Sequence, residues 1–177
     1  MKKYFEDVKS VLDKVDEDAV KSVVSILGHA IGEEKVIFTM GNGGSAACAS
    51  HLAQDLAKGL SPESRPRVIS LVDNISWMTA IANDINYDSI FSEQLSNLAK
   101  FGNILIAISG SGNSKNIVKA IKEAKEMGML VISLLGFDGG KAKTLSHISI
   151  HVPCDDMGIV ESVHSTICHY IPSALSG

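Results

Sequence analysis

The amino-acid sequence predicts an α/β fold of three layers, in which helices cover both faces of a doubly wound, flavodoxin-like parallel sheet. Five short apolar runs alternate with longer segments of helical periodicity. The runs are continuously apolar rather than alternating, which is typical of strands that are buried on both faces. Two of them end in turns rich in glycine and serine, and ligands of such sheets bind beyond the carboxyl ends of the strands.

Two amphipathic helices are predicted before the first strand. Their apolar residues recur at helical spacing, at Phe5, Val8, Val11 and Leu12 and then at Val20, Val23, Val24 and Leu27. Asp16 or Asp18 is expected to cap the second of these helices, because a carboxylate accepts hydrogen bonds from the free N–H groups of a first turn.

Strands and helices alternate over the rest of the chain. The predicted strands cover 36–40, 67–71, 104–108, 130–135 and 148–152. The predicted helices cover 46–58, 74–82, 87–98, 113–127 and 159–171. Pro172 is expected to end the last helix early, because proline has no backbone N–H to continue the hydrogen-bond ladder.

Length and composition indicate one cytoplasmic domain over residues 1–177. The formal net charge is −4 without a basic block, so we expect no nucleic-acid partner. No uncharged apolar run approaches the roughly 20 residues that cross a bilayer, and the N-terminus has no signal-peptide core, so we expect no membrane partner. The three cysteines form no CxxC pair, which favours a reducing compartment.

The turn after the third strand is the stronger ligand-binding signal. It interleaves Ser109, Ser111 and Ser114 with glycines, and a helix follows it. Small residues let the backbone approach an anion, and the helix start offers unpaired N–H groups. Neither the Walker pattern nor the dinucleotide fingerprint is present. The alternative is a tight turn whose serine only caps the helix; the alternation of hydroxyls and glycines favours phosphate binding.

The turn after the first strand, Gly41-Asn42-Gly43-Gly44-Ser45, is a weaker signal of the same kind. Asn42 and Ser45 can donate hydrogen bonds to sugar hydroxyls. Taken alone the turn says little, because Asn-Gly is a common turn pair.

Two helices carry pairs of acidic and imidazole side chains. His51 and Asp55 stand four positions apart, so both can face one metal ion or substrate hydroxyl. A surface His–Asp contact is the alternative. On the last helix Glu161 and His169 share roughly one face with Ser165, and His164 is another partner within reach of Glu161. If the two helices converge, these side chains form an oxygen and nitrogen site suited to Zn²⁺ or a similar divalent ion.

In this order along the chain, the features resemble sugar isomerase (SIS) domain proteins, and within them the sedoheptulose-7-phosphate isomerases, also called phosphoheptose isomerases. The resemblance covers nearly the whole chain. It rests on the two turns, on His51 with Asp55, on Asn83-Asp84, on Gly139-Gly140-Lys141, and on Glu161 with His169.

The resemblance implies an aldose–ketose isomerase that moves a proton of a sugar phosphate through an enediol. By matching position, the phosphate ligands would be Ser109, Ser111 and Ser114, and the sugar contacts would be Asn42, Gly43, Ser45 and Asp84. The metal ligands would be His51, Asp55, Glu161 and His169, with Asp55 as the base and His169 as the acid. The family also implies a homotetramer, in which the N-terminal helices would serve assembly.

Four residues depart from the family pattern. Asp55 stands where glutamate is usual, Glu161 where glutamine is usual, Gly59 where an arginine is expected, and Gly110 where threonine is usual. Two other functions stay open beside the heptose isomerase: an isomerase of a different sugar phosphate, and a non-catalytic SIS regulator or adaptor. The retention of all four acidic and imidazole residues favours an enzyme, because a sensor needs only the serine loop.

Overall fold

A computed structural model describes residues 1–59 and 65–176 of the chain. Five parallel strands form one sheet in the order β2-β1-β3-β4-β5. The strands are β1 (Val36–Gly41), β2 (Arg67–Ser70), β3 (Ile104–Ser109), β4 (Leu130–Leu135) and β5 (Ile148–His151). This order reverses direction between β1 and β3, as in flavodoxin-like folds, and it confirms the predicted fold class.

Eight α-helices connect and flank the strands within the described residues. They are α1 (Lys2–Leu12), α2 (Glu17–Gly32), α3 (Gly44–Gly59), α4 (Ile75–Asp84), α5 (Ser92–Leu98), α6 (Lys115–Glu126), α7 (Gly140–Leu145) and α8 (Met157–Ser176). Asp16 caps α2, since its carboxylate accepts hydrogen bonds from the backbone of Asp18 and Ala19. None of the described helices is both long enough and apolar enough to span a membrane.

The two faces of the sheet carry separate cores. On one face, Ile104 and Ile106 of β3 pack among residues of α2, α3 and α8. On the other face, Leu105 and Ala107 pack among residues of α4, α5, α6 and α7. Successive strand residues point to opposite faces, so burial on both sides explains why the strands read as unbroken apolar runs.

Three details of the predicted elements are wrong. The segment predicted as one helix over 87–98 is a 3-10 turn (Tyr87–Ser89) followed by α5, because Ile90 and Phe91 turn into the core between them. The short helix α7 was not predicted. Pro172 does not end the last helix, since α8 continues to Ser176. The turns around Pro172 stay helical because Ile171 and Pro172 are buried and Leu175 packs against the core.

Candidate active site

The candidate site lies where β1 and β3 deliver their glycine-rich turns to the starts of α3 and α6. Gly41 ends β1 so close to α3 that a side chain there would overlap the backbone of Ser45. Gly43 has a φ of +55°, a conformation that favours glycine. The tight turn therefore needs glycine at both positions, and it sets α3 against α8, which lies beside it.

A cluster of His51, Asp55 and His169 joins α3 to α8. The Asp55 Oδ2 atom is 3.1 Å from His51 Nε2 and 3.4 Å from His169 Nδ1. The two imidazole rings meet edge to face, with their centroids 4.6 Å apart. The helix spacing puts His51 and Asp55 on one face, and the packing of α8 on α3 adds His169.

The Asp55 carboxylate is the best-contacted group of this cluster. Its side chain is 18% exposed, whereas those of His51 and His169 are about half exposed. Its second oxygen, Oδ1, accepts a hydrogen bond from Gln54 Nε2 at 3.1 Å and lies 3.9 Å from Lys58 Nζ. The imidazoles thus present free edges to solvent while the carboxylate holds them in place.

The cluster has the chemistry of a divalent metal centre. One ligand atom from each of the three residues lies within 4.8 Å of the others. Two imidazole nitrogens and a carboxylate oxygen, with room for a further ligand, are the donor set of many catalytic zinc sites. The residues therefore fit such an ion. Glu161, the fourth ligand expected from the resemblance, is not part of this group.

Two cysteines line the cleft beside the cluster. The cleft has a volume of about 140 Å³, and its walls include Cys48, Ser165 and Cys168. Burial raises the pKa of the Cys48 thiol, and the nearby Glu161 carboxylate raises it further. Burial also raises the pKa of Cys168, with smaller contributions from Cys48 and Asp55. Both groups are therefore protonated thiols at neutral pH, without the reactivity of a thiolate.

A second pocket, the hydroxyl-lined pocket, adjoins the first turns of α3 and α8. Its volume is about 240 Å³. It is lined by Asn42, Gly43, Gly44, Ser45, Ile108, Ser109, Gly110, Ser111, Ser114, Met157 and Glu161. Six of the seven residues expected to bind the sugar phosphate thus share one pocket, and Asp84 is the exception.

The three loop serines differ in the hydrogen bonds that their hydroxyl groups already make within the protein. Ser109 Oγ accepts a hydrogen bond from Gly112 N at 3.1 Å, and Ser111 Oγ accepts one from Asn113 N at 3.3 Å. Ser114 precedes α6, and its hydroxyl makes no capping bond. All three hydroxyl protons remain available to an anion, and Ser114 is the least constrained donor.

Glu161 lies in the hydroxyl-lined pocket, against the first residue of α3. A Cβ atom built on Gly44 would be 2.5 Å from Glu161 Oε1 and 2.7 Å from Oε2. Met157 occupies the space beside Gly110, where the resemblance expected threonine. Sequence reasoning missed Met157, and no spacing rule links it to a loop in another part of the chain.

Asn42 and Asp84 are placed differently from the other expected sugar contacts. The Asn42 amide exchanges two hydrogen bonds with Asn116, at 2.8 and 2.9 Å, and accepts a third from Tyr87. It therefore braces the turn against α6, a contact that no sequence pattern predicts. Asp84 ends α4 as an exposed residue, bonded to Asn83, and lines neither pocket.

His164, the alternative partner of Glu161, faces the protein interior. It is fully buried, and neither ring nitrogen has a hydrogen-bond partner among the described residues. Burial lowers its pKa to about 4, and the backbone of Leu135 has a smaller effect in the opposite direction. His164 is therefore a neutral core residue.

The chain is similar to proteins of known families over most of its length. A family model described as SIS domain matches residues 3–136. A phosphoheptose isomerase from Geotalea daltonii is 42% identical over 153 residues, which is 86% of this chain and 80% of that protein. The structure of phosphoheptose isomerase GmhA from Neisseria gonorrhoeae aligns with a TM-score of 0.89 and 30% identity, over 96% of this chain and 91% of the other. A phosphoheptose isomerase from Francisella tularensis aligns with a TM-score of 0.92 and 26% identity, over 99% and 95%.

Proposed function

The chain belongs to the SIS-domain family and, within it, to the phosphoheptose isomerases, and we propose that it interconverts sedoheptulose 7-phosphate and an aldoheptose 7-phosphate. One observation carries the proposal. The same two helices, α3 and α8, line both a hydroxyl-rich pocket suited to a sugar phosphate and a carboxylate–imidazole cluster suited to proton transfer.

The phosphate end of the substrate is assigned to the loop before α6. Ser109, Ser111 and Ser114 donate hydroxyl hydrogen bonds to its oxygens, and the first turn of α6 adds free backbone N–H groups. Ser45 and the backbone around Gly43 line the side of the pocket nearer to α3, where they can contact the sugar chain. Asn42 holds this side of the pocket in shape through Asn116.

The proton transfer is assigned to Asp55 and His169. Isomerisation of the ketose removes a proton from C1 and delivers one to the C2 carbonyl oxygen, which gives an enediol. Asp55 takes the C1 proton, and His169 donates the other. The contact between Asp55 Oδ2 and His169 Nδ1 leaves Nε2 of the same ring free to face the substrate. The two roles reverse in the opposite direction.

Glu161 is the alternative base. A carboxylate that is bound to a cation is a weaker base, so Asp55 cannot serve fully as both ligand and base. Glu161 lies outside the three-residue cluster and lines the pocket assigned to the sugar phosphate. If Asp55 acts chiefly as a ligand, Glu161 takes its place in removing the proton.

A divalent cation, for which Zn²⁺ fits the donor set, would be held by His51, Asp55 and His169. When bound, such an ion polarises a carbonyl oxygen and stabilises the negative charge that develops on it. Glu161 would join as a fourth ligand only after movement of its side chain out of the hydroxyl-lined pocket.

We also propose a homotetrameric assembly in the cytoplasm. On α1, Tyr4 and Phe5 are 42% and 60% exposed, and such apolar surface favours contact with another subunit. A neighbouring subunit would also supply contacts to Asp84, which reaches neither pocket in its own chain. The three free cysteines fit a reducing compartment.

The test is incubation of the purified protein with sedoheptulose 7-phosphate, with and without a chelator, followed by detection of the aldose product. We expect turnover that is lost with the chelator and restored by Zn²⁺. Turnover that the chelator leaves unchanged would remove the cation from the proposal but keep the isomerase. Tight binding of the sugar phosphate without turnover would instead favour a regulator, and turnover of another ketose phosphate alone would change the substrate.

A further inference from the structure

The hydroxyl-lined pocket has an unusual charge for a site that is assigned to a phosphate. Glu161 is the only charged side chain among its lining residues, and no lysine or arginine lines it within the described part of the chain. A phosphate that enters this pocket therefore meets neutral hydroxyl and N–H donors together with one carboxylate. Like charges in a partly buried site repel, so the carboxylate weakens the binding of any anion.

The Glu161 carboxylate is held in the pocket, and no hydrogen bond or ion pair with the described residues occupies its oxygens. Both of its oxygens lie against Gly44, the first residue of α3, and only a glycine leaves room for them there. The start of this 16-residue helix favours a negative charge. Neither oxygen takes part in a hydrogen bond or an ion pair with the residues that the structure describes, so both can accept hydrogen bonds from a ligand.

Sugar hydroxyls are the ligand groups that match such a carboxylate. A polyol phosphate can donate hydroxyl hydrogen bonds to Glu161 while its phosphate binds the serines, and this offsets the repulsion. Inorganic phosphate has no polyol chain that could reach Glu161 while its oxygens bind the serines, so the carboxylate repels it without this compensation.

We propose that Glu161 is a specificity-determining residue, which makes the pocket reject free inorganic phosphate and accept phosphates that carry a polyol chain. The inference rests on the proposed function, because it takes the hydroxyl-lined pocket as the sugar-phosphate site. It gives Glu161 a role that needs neither a cation nor a proton transfer.

The test compares two ligands by calorimetry in the presence of a chelator. The probes are inorganic phosphate and a heptitol 7-phosphate, which keeps the hydroxyls but has no carbonyl and cannot be isomerised. In Glu161→Gln we expect inorganic phosphate to bind about tenfold more tightly, because one like charge is removed. The heptitol phosphate should bind with nearly unchanged affinity, because it loses charge-assisted hydroxyl bonds as it loses repulsion. The preference for the polyol phosphate should thus fall about tenfold.

Two control variants separate this role from others. Asp155→Asn removes the same charge from an exposed position outside both pockets and should change neither affinity. Glu161→Asp keeps the charge and should keep the rejection of inorganic phosphate. If Glu161 had only a structural role, Glu161→Gln would instead lower the affinity for both ligands together.

Three results would overturn the inference. One is unchanged or weaker binding of inorganic phosphate in Glu161→Gln. Another is equal tightening of both ligands, which would leave repulsion but no recognition of hydroxyls. The third is an effect that appears only when a cation is added. Since no probe is turned over, all three can be told apart from a failure of the isomerase assay.

Discussion

Replacement of Asp55 by asparagine tests the proton-transfer assignment most directly. Asparagine keeps the shape of the side chain, so the packing of α3 on α8 should persist. The amide cannot take up the C1 proton, although an amide oxygen in the place of Oδ2 still faces both imidazoles, at 3.1 and 3.4 Å. Loss of a general base usually costs about 10²- to 10⁴-fold in rate. This corresponds to about 3–5 kcal/mol of transition-state stabilisation.

The location of Asp55 predicts which kinetic parameter changes. Asp55 does not line the hydroxyl-lined pocket, so the KM for sedoheptulose 7-phosphate should stay within about twofold while kcat falls. The assay is steady-state production of the aldose by Asp55→Asn, by Glu161→Gln and by the unmodified protein. Near-normal kcat in Asp55→Asn together with a large loss in Glu161→Gln would refute the assignment and make Glu161 the base. A rise in KM alone would place Asp55 in binding rather than in chemistry.

Three further predictions concern the loop and the core. Ser114→Ala should weaken sugar-phosphate binding about tenfold or more, because it removes a hydroxyl donor. The melting temperature should stay unchanged, because this hydroxyl makes no capping bond to the helix. If calorimetry finds the same affinity in the variant and in the unmodified protein, Ser114 is not a phosphate ligand. Gly112→Ala should lower the free energy of unfolding by more than ~1 kcal/mol, because Gly112 has a φ of +60° and its new Cβ would overlap the Gly139 carbonyl. In the control variant Gly110→Ala, the new Cβ meets only the flexible end of Met157, so the loss of stability should be smaller. Denaturant titration of the two variants checks this, and equal losses would contradict it. The pKa of His164 is lowered to about 4 in the folded chain, whereas an unperturbed histidine has a pKa of about 6.5. Between these two pH values the unfolded chain binds a proton that the folded chain does not bind, so the free energy of unfolding should fall as the pH drops from 6.5 to 4. In His164→Leu, the decrease in the free energy of unfolding across this pH range should be smaller by about 3 kcal/mol. Unfolding experiments at several pH values check this, and an unchanged pH dependence would show that other groups cause the decrease.

The sequence was sufficient for the sheet and for the position of its loops. The apolar runs of β1, β3 and β4 are buried on both faces, so their composition alone reports a parallel sheet. The Ser109–Ser114 segment had to lie at the carboxyl edge because it directly follows β3. His51 and Asp55 had to share a face because helical spacing is local. The prediction that Pro172 ends the last helix was wrong, because burial of the surrounding turns outweighed the low helix propensity of proline.

Which side chains meet across helices was decided only by tertiary packing. The sequence placed Glu161 and His169 on one side of α8, but the way α8 lies on α3 sends His169 to Asp55 and Glu161 to Gly44. His164 points into the core and Asp84 stays at the surface for the same reason. Periodicity fixes directions within one element, whereas the relative shift and rotation of two helices depend on many contacts between residues far apart in the chain. Those contacts leave no local signature, so the division of the candidate site into a carboxylate–imidazole cluster and a hydroxyl-lined pocket became visible only in the fold.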